Sequence, residues 1–117
     1  MKDVEERART FLPLTEATYS ILVSLAQPRH GYGIMQDVAE VSGGRVSLGP
    51  GTLYGALTNL LRQGLIERSG TFDSGEGRRK VYSLTELGRA VGTLESERLE
   101  GMAKLGRRIF KRAGGPK

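Results

Sequence analysis

Three segments with helical apolar spacing, two short alternating segments and one long amphipathic segment predict a mainly α fold with a small β-hairpin (α+β). The order is helix, helix, helix, strand, strand, helix. A chain of 117 residues closes one core and leaves little room for a second. Aromatics are only 6% and Trp is absent, so the core is expected to be built mostly from Leu, Ile and Val. Glycine is the outlier at 17 residues, about twice the usual share. The glycines fall at punctuation points between periodic segments, and no internal repeat is present.

Residues 1–12 carry mixed charge and read as a short helix or an arm, broken at Pro13. Thr15 is the expected N-cap of a first core helix, about 12 residues long and ending near Gln27-Pro28. Its stripe is Ala17, Ile21, Leu22, Leu25 and Ala26, widened by Val23. His30-Gly31-Tyr32-Gly33 reads as a turn into a second helix with Ile34, Met35, Val38 and Val41 at helical spacing. Ser42-Gly43-Gly44 stops it. Gly49-Pro50-Gly51 introduces a third helix, roughly 50–63, whose buried face is Leu53, Ala56, Leu57, Leu60 and Leu61. Gly64 stands where a left-handed C′ residue belongs.

Leu65 to Ser69 alternates and reads as a strand. Thr71 to Gly77, with Asp73, Gly75 and Gly77, reads as a loop, and Lys80 to Leu84 reads as a second strand. Thr85 then caps a last helix running to about Ala113, where Gly114-Gly115-Pro116 ends it. Three short helices and a hairpin make the winged helix-turn-helix plan, with the second and third helices as the helix-turn-helix pair. We divide the chain into residues 1–84, a winged helix-turn-helix DNA-binding domain with an N-terminal arm, and residues 85–117, a C-terminal dimerisation helix with a basic tail.

Composition excludes several kinds of chemistry. There is no Cys, which removes disulfides, thiolate nucleophiles and Cys-based metal sites. A single His, His30, removes multi-His metal sites and a Ser–His–Asp enzyme. His30 is expected to stabilise its turn by a hydrogen bond. No metal or cofactor is expected, nor paired carboxylates in an apolar frame. Gly49 to Gly55 superficially resembles a nucleotide-binding loop, but its spacing matches neither the dinucleotide fingerprint nor Gly-Lys-Ser/Thr. No apolar run is long enough to cross a bilayer, and the N-terminal segment lacks a signal peptide's apolar region. The expected location is the cytoplasm, with no membrane partner.

The charge balance points elsewhere. Lys and Arg number 18 against 13 Asp and Glu, for a net charge of +5. Such a balance suits an acidic partner, nucleic acid first among them. The outward face of the third helix holds Gly51, Gly55, Thr58 and Arg62, flanked by Thr52, Tyr54 and Asn59. Small, hydrogen-bonding side chains with one cation suit the major groove. Gly55 lowers helix stability by about 1 kcal/mol relative to Ala, and close approach to a DNA backbone gives it a reason. Arg78, Arg79 and Lys80 form a basic cluster on the hairpin, placed to meet phosphate or the minor groove. Asp73 and Glu76 would be repelled there, so the tip is expected to point partly away from DNA.

In the last helix Leu87, Val91, Leu94, Met102, Leu105 and Ile109 form one stripe, with Arg98 in its middle. A second row holds Leu99, Ala103 and Phe110 beside Gly92 and Gly106. A three-helix domain that has closed its own core cannot cover both rows, so a second copy of the chain is expected to pack there. Arg98 is expected to snorkel out of that interface. The cations after Glu100 are assigned to the helix C-terminus and to solubility.

Four motifs together resemble the PadR family of transcriptional regulators. They are His30-Gly31-Tyr32-Gly33-Ile34; Gly51-Thr52-Leu53-Tyr54 with Ala56-Leu57; Leu61 to Ile66; and Gly77 to Arg89. The resemblance covers about residues 14–89, and the single remaining helix is similar to the short-tailed, multidrug-sensing branch. It implies a homodimeric winged-helix repressor that binds a double-stranded DNA operator and dimerises through its C-terminal helix. It also implies release by a small aromatic or cationic effector bound between the subunits. This chain departs from the family pattern at Gly55, where Pro is common, near Thr58, where a basic residue is common, and in having no Trp in the last helix. The competing reading is a winged-helix protein-interaction module without DNA binding.

Overall fold

The structure, a computed structural model, describes residues 2–74 and 77–112, with the side chains of residues 2, 72–74, 77 and 78 left undescribed. Helices α1 (Lys2–Arg9), α2 (Glu16–Ser24), α3 (Gly31–Val41), α4 (Pro50–Gln63) and α5 (Glu86–Arg112) surround strands β1 (Arg29–His30), β2 (Ile66–Ser74) and β3 (Gly77–Leu84). The architecture is therefore mainly helical with a small antiparallel sheet, as expected.

Local chemistry explains most boundaries. Thr15 caps α2 by accepting from the Thr18 N–H at 3.1 Å. His30 caps α3 through Nδ1, which accepts from the Gly33 N–H at 3.1 Å. This is the turn bond expected of it. Pro50 opens α4 and Gly64 closes it with a φ of 79°, so α4 spans the 50–63 read from the sequence.

Three elements differ from expectation. The first core helix stops at Ser24 rather than near Gln27. The Arg29 Nε donates to the Ser24 carbonyl at 2.6 Å, which diverts the chain out of the helix. Arg29 and His30 are not only a turn. They pair with Tyr82 and Val81, so the hairpin becomes a three-stranded sheet in the order β1-β3-β2. The segment from Thr71 is paired strand, with register running Thr71 to Lys80 and on to Ser74 and Gly77. A register shift between Arg68 and Gly70 is accommodated by Gly70 at a φ of 150°, which a residue with a Cβ rarely adopts.

One core joins all layers: Ile21, Leu22 and Leu25 of α2, Ile34 and Val38 of α3, Leu53, Leu57 and Leu60 of α4, with Leu65, Ile66, Tyr82, Leu87 and Val91. The mixed-charge N-terminal segment belongs to it. Ala8 is buried, and Val4, Phe11 and Leu12 pack against the core, so α1 lies along α5 instead of projecting as an arm. Thr85 fixes the angle between α4 and α5. Its Oγ1 donates to the Gly64 carbonyl at 2.6 Å and accepts from the Gly88 N–H at 3.0 Å. Gly88 itself presses on the Leu65 backbone, leaving no room for a Cβ.

Candidate nucleic-acid interface

The core stripe of α4 turns its other side to solvent. Thr52, Tyr54, Thr58, Asn59 and Arg62 are all exposed, as read from the wheel. A Cβ added at Gly51 or Gly55 would meet nothing within 4 Å. Nothing within the chain therefore demands glycine at either position, and the helix backbone lies bare to an approaching surface. The side chains are pre-ordered along the helix. The Thr58 hydroxyl donates to the Tyr54 carbonyl at 2.9 Å, and Arg62 Nη1 donates to Asn59 Oδ1 at 3.2 Å. Thr58 keeps its lone pairs and methyl for a partner, and Asn59 keeps its amide donors.

Tyr54 does more than face outward. Its hydroxyl occupies the space that a Cβ on Gly31 would need, so α3 and α4 meet through this glycine. Gly31, Tyr54, Arg79, Lys80 and Tyr82 line a cleft of about 370 Å³ between the first turns of α3 and α4 and strand β3. The guanidinium carbon of Arg79 stands 5.7 Å from the centre of the half-exposed Tyr32 ring. The fold thus brings two of the three hairpin cations beside α4. The Arg78 side chain and Glu76 lie outside the described residues, as does the side chain of Asp73.

The long stripe of α5 divides. Leu87 and Val91 are buried in the chain's own core, and Leu94 packs against it. Leu87 and Val91 are therefore corrected from dimer contacts to core residues, because α1 and the sheet already cover them. Beyond them the apolar side chains are open: Leu99, Met102, Leu105, Ile109 and Phe110 are all exposed. Between the two parts sits Glu95, only 1% exposed. Its carboxylate accepts from the Leu14 N–H at 2.8 Å and from Arg98 Nη2 at 2.9 Å. Arg98 does not simply snorkel; it is tied to this carboxylate and reaches the Met102 sulfur at 3.0 Å. The Arg98 hydrogen bond holds the Glu95 carboxyl below its usual value, against the opposing effect of burial and with help from the Leu14 N–H. The same hydrogen bond raises the Arg98 guanidinium.

Residues 20–93 match the family model described as the transcriptional regulator PadR-like family. The chain belongs to the PadR-like family. Its members are transcriptional regulators rather than enzymes. A PadR family regulator from Clostridium difficile superimposes with a TM-score of 0.69 at 26% identity, covering 81% of this chain and 98% of that one. Bacillus subtilis PadR, solved in complex with operator DNA, gives a TM-score of 0.60 at 26% identity, covering 74% of this chain and 47% of that one. A curated relative is an uncharacterised 37.1 kDa protein in a Streptomyces fradiae transposon, 39% identical over 99 residues. This PadR-like chain spans 84% of itself in that match but only 26% of the relative.

No helix among the described residues is long and apolar enough to cross a membrane, and no group of His, Asp or Glu side chains among them could hold a metal ion. Sequence reading passed over Gly31 and Tyr32 as interface residues and Glu95 as a core group. Glu95 carried a signal: Leu87, Val91 and Glu95 follow one another at steps of four, on the face that turns inward.

Proposed function

We propose that this chain is a dimeric, sequence-specific DNA-binding repressor. Helix α4 enters the major groove, and the β2–β3 wing lies against the backbone. The observation that carries this is the continuity of one surface. The exposed Thr, Asn, Tyr and Arg side chains of α4, the bare backbone at Gly51 and Gly55, and the wing cations Arg79 and Lys80 adjoin one another. Hydroxyls, amides and one cation read base edges, whereas wing cations meet phosphate. The operator complex of the Bacillus subtilis relative supports a DNA partner. The exposed row from Leu94 to Ile109 supports a second copy as the other partner, because a lone helix does not keep such a row in water without cost.

We assign release of the repressor to a flat aromatic or cationic effector. A groove of about 600 Å³ between α1 and α5 supports that assignment. Val4, Ala90 and Leu94 supply its apolar lining, with Glu5, Glu86, Glu97 and Arg89 around them. Leu94 belongs to both the groove and the dimer row, so an occupant there would bear on subunit packing.

The DNA reading is tested by selecting duplexes from a randomised pool and comparing the selected duplex with a scrambled one at one salt concentration. Asn59→Ala and Thr58→Ala should fold normally, since exposed substitutions shift stability by less than about 0.5 kcal/mol. They should weaken binding to the selected duplex by about 1–3 kcal/mol and leave the scrambled duplex nearly unaffected. Equal losses on both would limit these residues to phosphate contact. No loss on either would mean that α4 does not read DNA.

A further inference from the structure

We infer that Tyr32 is a positioning residue of this interface, and that its ring fixes Arg79 at the mouth of a seat for one backbone phosphate. The inference rests on the DNA reading above. Tyr32 lies in the first turn of α3, outside the helix expected to read bases, and its side chain is half exposed although it is a large aromatic. The structure assigns that ring a partner across the fold, the Arg79 guanidinium of β3, at 5.7 Å from the ring centre. That separation lies within cation–π range. A long arginine on an exposed strand otherwise samples many rotamers and must give them up on binding. Held over a ring, its charge is directed before DNA arrives.

The ring directs it toward a built recess. Behind Arg79 the cleft is closed by buried Tyr82 and Gly31, and its other rim carries the Tyr54 hydroxyl and Lys80. Among the described residues that line it, none is a carboxylate. Two cations and a phenolic donor converging on a cleft without acids suit a phosphate monoanion. The absence of a Cβ at Gly31 is what lets the Tyr54 hydroxyl stand there. Base reading by α4 and backbone holding by the wing thus meet at one point. A phosphate seated there sets how deep α4 can enter the groove.

The test is a double-mutant cycle on the full chain, with the selected duplex as probe and melting curves confirming that each variant is folded. Tyr32→Leu should weaken binding by about two- to fivefold, the worth of an exposed cation–π pair. The loss should be the same on scrambled DNA, because a phosphate carries no sequence. Tyr32→Phe, which keeps the ring, should bind like the unaltered chain. Arg79→Ala should lower the log–log salt slope by about 0.9, and adding Tyr32→Leu to it should cost nothing more. Fully additive losses would overturn the inference, because Tyr32 would then act without Arg79. A Tyr32→Phe loss as large as that of Tyr32→Leu would also overturn it, by giving the role to the hydroxyl. An unaltered chain that binds no duplex would instead sink the DNA reading itself, which separates the two failures.

Discussion

The two halves of α5 share one apolar stripe and meet opposite fates. From Leu87 to Glu95 the stripe is buried within the chain, with Val91 at 0% exposure. From Leu99 to Phe110 it stays in water, with Met102 at 58% and Phe110 at 63%. Nothing in the periodicity marks the change. What changes is the neighbour: α1, α2 and the sheet line the first half, whereas the second half, in a helix about 40 Å long, extends past them. Amphipathic spacing therefore reports that a face will be covered, and only the length of the surrounding elements reports by what.

Substituting the same charge into each half should break the comparison most visibly. Val91→Asp buries an unpaired carboxylate and should cost about 4 kcal/mol or more, enough to unfold a domain of ordinary stability. Leu105→Asp should leave the circular dichroism spectrum and the fold intact and convert the dimer to monomers by light scattering. Equal unfolding by both would mean that the second half is also structural within one chain. A Leu105→Asp dimer would move the subunit interface elsewhere.

Glycine scanning along the same helix sharpens the contrast. At Gly88 a Cβ would collide with the Leu65 carbonyl, a backbone atom that cannot step aside. Gly88→Ala should destabilise by about 1–3 kcal/mol. At Gly101 a Cβ meets nothing within 4 Å in the single chain. There Gly101→Ala should stabilise by up to about 1 kcal/mol through helix propensity, measured by urea denaturation. Destabilisation of dimer but not monomer by Gly101→Ala would show the partner helix approaching at that point.

The smallest effect belongs to the junction. The Arg98 hydrogen bond depresses the Glu95 carboxyl in the folded state. Its stabilisation is therefore present above the unfolded carboxylate pKa and is lost as pH falls through the folded value. Glu95→Gln should lower the melting temperature by a few degrees at neutral pH. The difference should vanish in acid, flattening that limb of the stability profile. A constant difference at every pH would mean that the carboxylate charge contributes nothing.

How much of this was legible in the sequence follows from what each feature depends on. The limits of α4 could be read because Pro50 and Gly64 are local signals with local causes. Thr15, His30 and Thr85 are caps of the same kind. The two-residue strand β1 could not be read, since Arg29-His30 is too short to alternate and owes its pairing to Val81 and Tyr82 far along the chain. Residues 71–74 resembled a loop by composition, yet strand pairing uses backbone groups that composition does not describe. The exposed residues of α4 were identified from the wheel alone. The role of Tyr32 was not, because a ring and a guanidinium 47 positions apart meet only after folding.

The most direct test of the account is hydroxyl-radical footprinting of the unaltered chain on its selected duplex. Two α4 helices carried by one dimer should protect two patches about one helical turn apart, centre to centre about 34–36 Å. Protection of a single patch, or the same diffuse pattern on scrambled DNA, would contradict a dimer that reads sequence through α4.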